Sequence, residues 1–233
     1  PLHGSSAASD VYKRQTSNKE YRQWKSEHNS SSIRGLSLDL NDQPVSNIAW
    51  QDAALFCNWL SEKENLPKFY NVVGDRVTSI NWDSNGYRLP TESEWSWVAK
   101  VTKAGSTKVF PWNSPSYPPP FVSGNYADES AKSMLPFTIS NYNDSFPVSA
   151  SVGSFQPNEK GIFNLSGNVA EWVNDFYEIR VNKSEPLVDY RGPNTGNRHV
   201  IRGASWALGS RSELRLSYRE PGYDGKIDVG FRI

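Results

Sequence analysis

The longest helical period in the chain lies in "PVSNIAWQDAALFCNWLSEKEN". Ala53, Phe56, Cys57 and Leu60 recur there at i, i+3, i+4 and i+7 and so share one face. A second helix is predicted at "TESEWSWVAK", with Trp95, Val98 and Ala99 turned inward. Thr91 stands three residues ahead of Glu94, the spacing of a capping box, with Pro90 just before it. Ser17 and Glu20 repeat that spacing in "TSNKEYRQW", where Tyr21 and Trp24 share a face. Between the longer helices, "YNVVGDRVTSI" reads as a short hairpin. Towards the C-terminus the period becomes two. In "ELRLSYR", Leu214, Leu216 and Tyr218 alternate with Glu213, Arg215, Ser217 and Arg219, which predicts a strand. "HVIRG" and "VGFRI" read as further short strands.

Residues 102–158 follow neither period and are rich in Pro, Gly, Ser and Asn. So long an irregular stretch in a compact domain points to functional loops, or to loops held by something other than a core, such as a bound cation. Composition agrees. Nine Trp, eleven Tyr and ten Phe sit among 16 Gly and 15 Pro, which predicts a loop-rich α+β domain held by aromatic clusters and not a bundle or a doubly wound sheet. The 233 residues show no compositional break, as for one domain.

Charge narrows the partners. Lys+Arg and Asp+Glu balance at 25 each, so no basic footprint for nucleic acid is present. No apolar run approaches the roughly 18 residues of a membrane helix, so this fragment carries no membrane-spanning segment. The single cysteine, Cys57, excludes an internal disulfide and a multi-cysteine zinc site. On an apolar helix face without basic neighbours it reads as a core residue and not a reactive thiol. The first fifteen residues, "PLHGSSAASDVYKRQ", lack the apolar core of a signal peptide and read as a non-native or mis-joined leader. The domain is then expected over 16–233, truncated at its N-terminus. Compartment stays open, an exported form (periplasmic or lipid-anchored) being compatible with a missing start.

"FNLSGNVAEW", residues 163–172, sets polar groups in apolar company. Asn164, Asn168 and Glu171 are expensive to bury unless something satisfies them. Calcium takes six to eight oxygens from carboxylates, amides and carbonyls. Asn164 and Glu171 have side-chain oxygens to offer, and Gly167 lets the backbone turn its carbonyls inward. Hydrogen-bonded loop caps are the competing explanation.

Four segments in order, "PVSNIAWQDAALFCNWLS", "GYRLPTESEWSWVAK", "GIFNLSGNVAEWVNDFY" and "HVIRGASW…DVGFRI", together resemble the formylglycine-generating enzyme or sulfatase-modifying factor family, from about residue 16 to 233. The resemblance implies a loop-rich variant of the C-type lectin fold with bound calcium. It places one calcium site at Asn164, Gly167, Val169 and Glu171, the glycine and valine giving carbonyls. It places another at Asn125 and Asp144, with carbonyls from Tyr126 and Phe146. Family oxidases bind copper(I) through two thiolates, as its softness demands. Here the aligned positions are Leu208 and Glu213. Neither suits copper(I), so that cofactor is not expected and no catalytic residue is assigned. Ser205 remains from the active-site strand, and Ala170 stands where active members carry an aromatic.

His3, His28 and His199 are the only histidines and do not form an iron triad in sequence. Towards the C-terminus, Ser205, Trp206, Arg211, Arg215 and Arg219 form the expected ligand-binding surface, since arginine with aromatics is a common recognition pair. Structural ion pairs with Glu213, Glu220, Asp224 and Asp228 are the alternative. The leading expectation is a calcium-stabilised module of a bacterial protein, a pseudoenzyme that binds a protein, peptide or glycan. The alternative is an oxidoreductase of the formylglycine-generating or non-haem iron type, using another metal centre or a partner subunit.

Overall fold

The computed structural model describes residues 13–179 and 190–233. Helix α1 (Asn18–Tyr21) opens on the predicted capping box between Ser17 and Glu20. Strands β1 (Ser32–Ile33) and β2 (Leu36–Ser37) pair as a small ribbon. Helix α2 (Trp50–Lys63) buries Ala53, Phe56 and Cys57, and Leu60 packs at its margin. The hairpin β3 (Tyr70–Val73) and β4 (Arg76–Ile80) follows. Helix α3 (Glu92–Lys100) then starts at the Thr91–Glu94 capping box, with Trp95 and Ala99 buried. Among the described residues no helix is long and apolar enough to cross a membrane.

A four-stranded sheet forms the centre. It comprises β5 (Ala170–Phe176), β6 (His199–Arg202), β7 (Arg219–Gly222) and β8 (Val229–Phe231), in the order β7-β6-β5-β8. β5 is antiparallel to β6 and parallel to β8. Its side chains alternate between two buried faces. Ala170 and Trp172 pack with α2, Phe69 and Phe231, whereas Val173 packs with Trp95 and Ala99 of α3. The indole N–H groups are used as well: Trp172 donates to the Ile48 carbonyl and Trp50 to the Val173 carbonyl, both at 3.0 Å. A strand covered on both faces loses the apolar–polar alternation that would mark it in sequence. That is why the 170–176 strand has no period-two signal.

One predicted strand is absent. "ELRLSYR" runs as turns, with the Leu214 N–H bonded to the Ser210 carbonyl and Tyr218 to Arg215. Leu214 and Leu216 are buried, but in different clusters. Their alternation records two anchors on a winding loop and not a sheet face. Arg202 holds that loop, donating to the carbonyls of Leu216 at 2.8 Å, Ser217 at 3.2 Å and Tyr218 at 2.6 Å. The stretch 102–158 contains one 3₁₀ turn, Glu129–Ala131, and an isolated bridge from Thr107 to Val101, and is held by Phe110, Trp112, Tyr126, Ile139 and Tyr142 around Leu214. Arg14 and Gln15, grouped with the leader on sequence grounds, are packed into the domain: Arg14 pairs with Glu20 at 2.7 Å and Gln15 is fully buried. Residues 1–12 of that leader lie outside the described residues.

Candidate functional site

The segment before β5 bends sharply. Asn164, Ser166 and Asn168 have φ of 53°, 66° and 68°, and Gly167 has 137°. Such left-handed backbone is costly for non-glycine residues and persists only where surroundings impose it. A Cβ at Gly167 would also come within 3.2 Å of the Tyr126 ring. These bends turn three carbonyls towards one point. The amide nitrogen of Gln15 occupies it, 3.3 Å from the Asn164 carbonyl, 3.2 Å from Gly167, 2.8 Å from Val169 and 2.9 Å from Glu171 Oε1. The four positions expected to share a cation therefore do converge. Asn164 differs in detail, since its main-chain carbonyl faces the centre while its side-chain oxygen accepts from Gly153.

Glu171 is otherwise satisfied by protein. Arg232 forks onto it, Nη2 to Oε1 at 2.5 Å and Nε to Oε2 at 2.7 Å, and Trp95 Nε1 donates at 2.8 Å. Asn168 pairs with Ala150 through both ends of its amide, 2.8 and 3.1 Å, and also meets Gln15 and Asn125. It links this cage to the second predicted cluster.

That cluster is electrostatically different. Asp144 Oδ2 accepts from Tyr126 N at 3.0 Å and Oδ1 from Phe146 N at 2.9 Å. The Asp144 N–H in turn donates to Asp128 Oδ2. Both carboxylates are buried, and among the described residues no cationic side chain pairs with either. Burial, with Asp128 alongside, raises the Asp144 carboxyl to about 7. Asn125 Oδ1 is buried without a donor. Among the described residues no donor is assigned to the Tyr126 and Phe146 carbonyls. A calcium ion fits this donor set of hard oxygens and excess negative charge. No group of three His, Cys, Asp or Glu gathers among the described residues, so amides and carbonyls must supply most of any coordination. Asp128 escaped sequence reasoning, although a carboxylate inside "NYADES" beside two apolar anchors was a readable signal.

Of the two residues expected at the oxidase thiolate positions, Leu208 packs on the Phe110–Trp112–Tyr126 cluster. Glu213 accepts from Gly209 N and Ser210 N and so caps a turn. Cys57 lies elsewhere, buried in α2, where burial pushes its thiol up. Two of the five expected ligand residues come together: Arg211 and Arg215 line a cavity of about 410 Å³ with Val109, Phe110 and Ser212. Neither has a salt-bridge partner among the described residues. The other three do not join them. Ser205 and Trp206 are buried, Ser205 donating to Asp228 Oδ2 at 2.7 Å. Arg219 pairs with Glu92 at 2.7 Å and lies over the Tyr177 ring.

The family model described as the sulfatase-modifying factor enzyme 1-like domain matches residues 7–233. The chain is 30% identical over 207 residues to the chaperone protein LppX of Paenibacillus barcinonensis, covering 81% of this chain and 65% of that protein. It is 28% identical over 165 residues to the formylglycine-generating enzyme of Streptomyces coelicolor, covering 71% of this chain and 42% of the enzyme. It is 28% identical over 172 residues to the inactive C-alpha-formylglycine-generating enzyme 2 of Mus musculus, covering 70% of this chain and 45% of that protein. The match thus spans less than half of either of these last two. Among solved structures, Treponema denticola variable protein 1 aligns with a TM-score of 0.69 and 27% identity, over 94% of this chain and 81% of that one. PvdO from Pseudomonas aeruginosa, at a TM-score of 0.64 and 21% identity over 94% and 77%, shares the fold.

Proposed function

The chain belongs to the sulfatase-modifying factor enzyme 1-like domain family, and we propose that it is a calcium-stabilised binding module of that family, not a formylglycine-forming oxidase. The observation that carries this reading is local. At the positions the resemblance aligns with the oxidases' thiolates, this chain has a half-buried leucine and a turn-capping glutamate, and the same loop presents Arg211 and Arg215 to an open cavity. A leucine offers no lone pair and a carboxylate is a poor match for copper(I). Two guanidiniums that face a cavity without acid partners suit a carboxylate- or phosphate-bearing ligand, because each brings a planar fork of donors.

Calcium belongs to the scaffold in this reading. Asn125, Tyr126, Asp144 and Phe146 would hold one ion, and it would supply the positive charge that Asp144 and Asp128 lack. Asn164, Gly167, Val169 and Glu171 would hold another only with the Gln15 amide nitrogen, which fills that point, turned aside. Electrostatics favour the first set, since Arg232 already balances Glu171. The relatives named above include one called an enzyme, one called inactive and one called a chaperone, so the family supports both catalytic and non-catalytic readings. Peptide and glycan arrays probed with the parent chain and with Arg215→Ala test the binding role. Hits that weaken in the variant are expected, and hits indifferent to both Arg211→Ala and Arg215→Ala would remove this cavity as the binding site.

A further inference from the structure

A cleft of greater volume lies elsewhere among the described residues, and it shares no lining residue with the Arg211–Arg215 cavity. It holds about 1000 Å³ between the β3–β4 hairpin, the start of α2, the ends of β5 and β6, and the segments 191–197 and 223–224. Its floor is rigid. The His199 ring lies flat on Trp50, centroids 3.6 Å apart and 4° from parallel, and Phe176 covers its other side at 4.3 Å. Burial keeps that imidazole neutral down to about 4, so the floor presents an uncharged aromatic platform.

The rim carries unspent polar groups. Arg191 stacks on the Trp82 ring at 4.1 Å from its centroid, and Arg76 is exposed across the cleft. Neither has a salt-bridge partner among the described residues, and Asp224 is the only acid in the lining. Asn194 and Asn197 are exposed, and Tyr223 is 69% exposed. Each group suits a different part of one kind of molecule. A guanidinium already fixed by stacking gives up little entropy when it forks onto a carboxylate. Side-chain amides donate and accept at once, as neighbouring hydroxyls require. An exposed aromatic face accepts the apolar face of a ring. We infer that this cleft is a second binding site, for an acidic oligosaccharide, with Arg191 and Arg76 taking carboxylates of different units, Asn194 and Asn197 the hydroxyls and Tyr223 a ring face.

Volume agrees with two or three sugar units, at the upper end of ordinary ligand pockets. Two arginines in a chain of zero formal charge are too few for a nucleic-acid track. The wet, amide-lined rim does not suit a lipid tail.

The test is a set of calorimetric titrations of the whole chain with trigalacturonate, maltotriose and tri-glutamate. Trigalacturonate is expected to bind, with maltotriose and tri-glutamate weaker by about tenfold or more. Arg191→Ala and Tyr223→Ala should each weaken trigalacturonate by a similar factor with unchanged melting temperature, as both side chains are exposed. Arg215→Ala should leave it alone, which separates this site from the cavity proposed above. No trigalacturonate binding, equal binding of maltotriose or tri-glutamate, or full affinity in both Arg191→Ala and Tyr223→Ala would overturn the assignment.

Discussion

Arg232 and Glu171 form a buried, two-pronged ion pair that fastens β8's end to β5. Nη2 and Nε meet the two carboxylate oxygens at 2.5 and 2.7 Å, and the side chains are 6% and 1% exposed. Removing one partner leaves the other charge buried alone, which costs about 3–5 kcal/mol. In excess chelator, where only the ion pair is at stake, Glu171→Ala should therefore lower urea stability by that order. A loss under about 1 kcal/mol would mean the pair is not sealed from water.

The Gln15 amide has two hydrogens for four surrounding oxygens. Exchanging it for a carboxylate adds negative charge to a ready-made oxygen cage. Gln15→Glu is expected to be less stable than the parent in chelator and to recover in millimolar calcium, widening the calcium-dependent shift in melting temperature. A variant equally unstable in both solutions would contradict a cation-sized cage at this point.

Asp144 and Asp128 carry the stronger argument for calcium, as buried carboxylates without cationic partners among the described residues. Saturating calcium at about a hundred times its dissociation constant adds about 2.7 kcal/mol to the folded state. For a chain of this length that is about 5–10 °C in melting temperature. Excess chelator should remove that increment from the parent and remove little from Asp144→Asn. Equal chelator responses in the two would show that calcium, if bound, is held elsewhere.

His199 makes stability depend on pH. Burial against Trp50 and Phe176 lowers its imidazole to about 4, from about 6.5 in the unfolded chain. A depressed histidine gives stability that is whole above the unfolded value and lost as pH falls from 6.5 through 4. By pH 4.5 the loss is on the order of 2 kcal/mol. Asp175 acts oppositely, since burial raises its carboxyl to about 6 and its ionised form is the penalised one. The variant isolates the histidine: His199→Phe should lose less stability than the parent between pH 7.5 and 4.5. Identical losses would show that the imidazole stays protonated or solvated in the fold.

How much was legible depended on the range of each contact. Local rules placed the capping boxes at Ser17–Glu20 and Thr91–Glu94 and the apolar face of α2, because their partners lie within one or two turns. β5 was silent because burial on both faces erases alternation, and "ELRLSYR" misled because Leu214 and Leu216 anchor separate clusters. The cage around Gln15 joins residues 149 to 156 positions apart, beyond any periodic signal. Burial also corrected the ligand surface. Trp206 and Ser205 look like a recognition pair in one dimension, yet both are sealed in the core, whereas Arg211 and Arg215 face space.

The most direct test of the central claim is chemical. The chain is incubated with copper and a sulfatase-type cysteine peptide under air, and the peptide is followed by mass spectrometry. The proposed reading, which puts Leu208 and Glu213 at the thiolate positions, predicts aldehyde at the level of a protein-free blank. Formylglycine above that blank, from protein free of contaminating oxidase, would contradict the account.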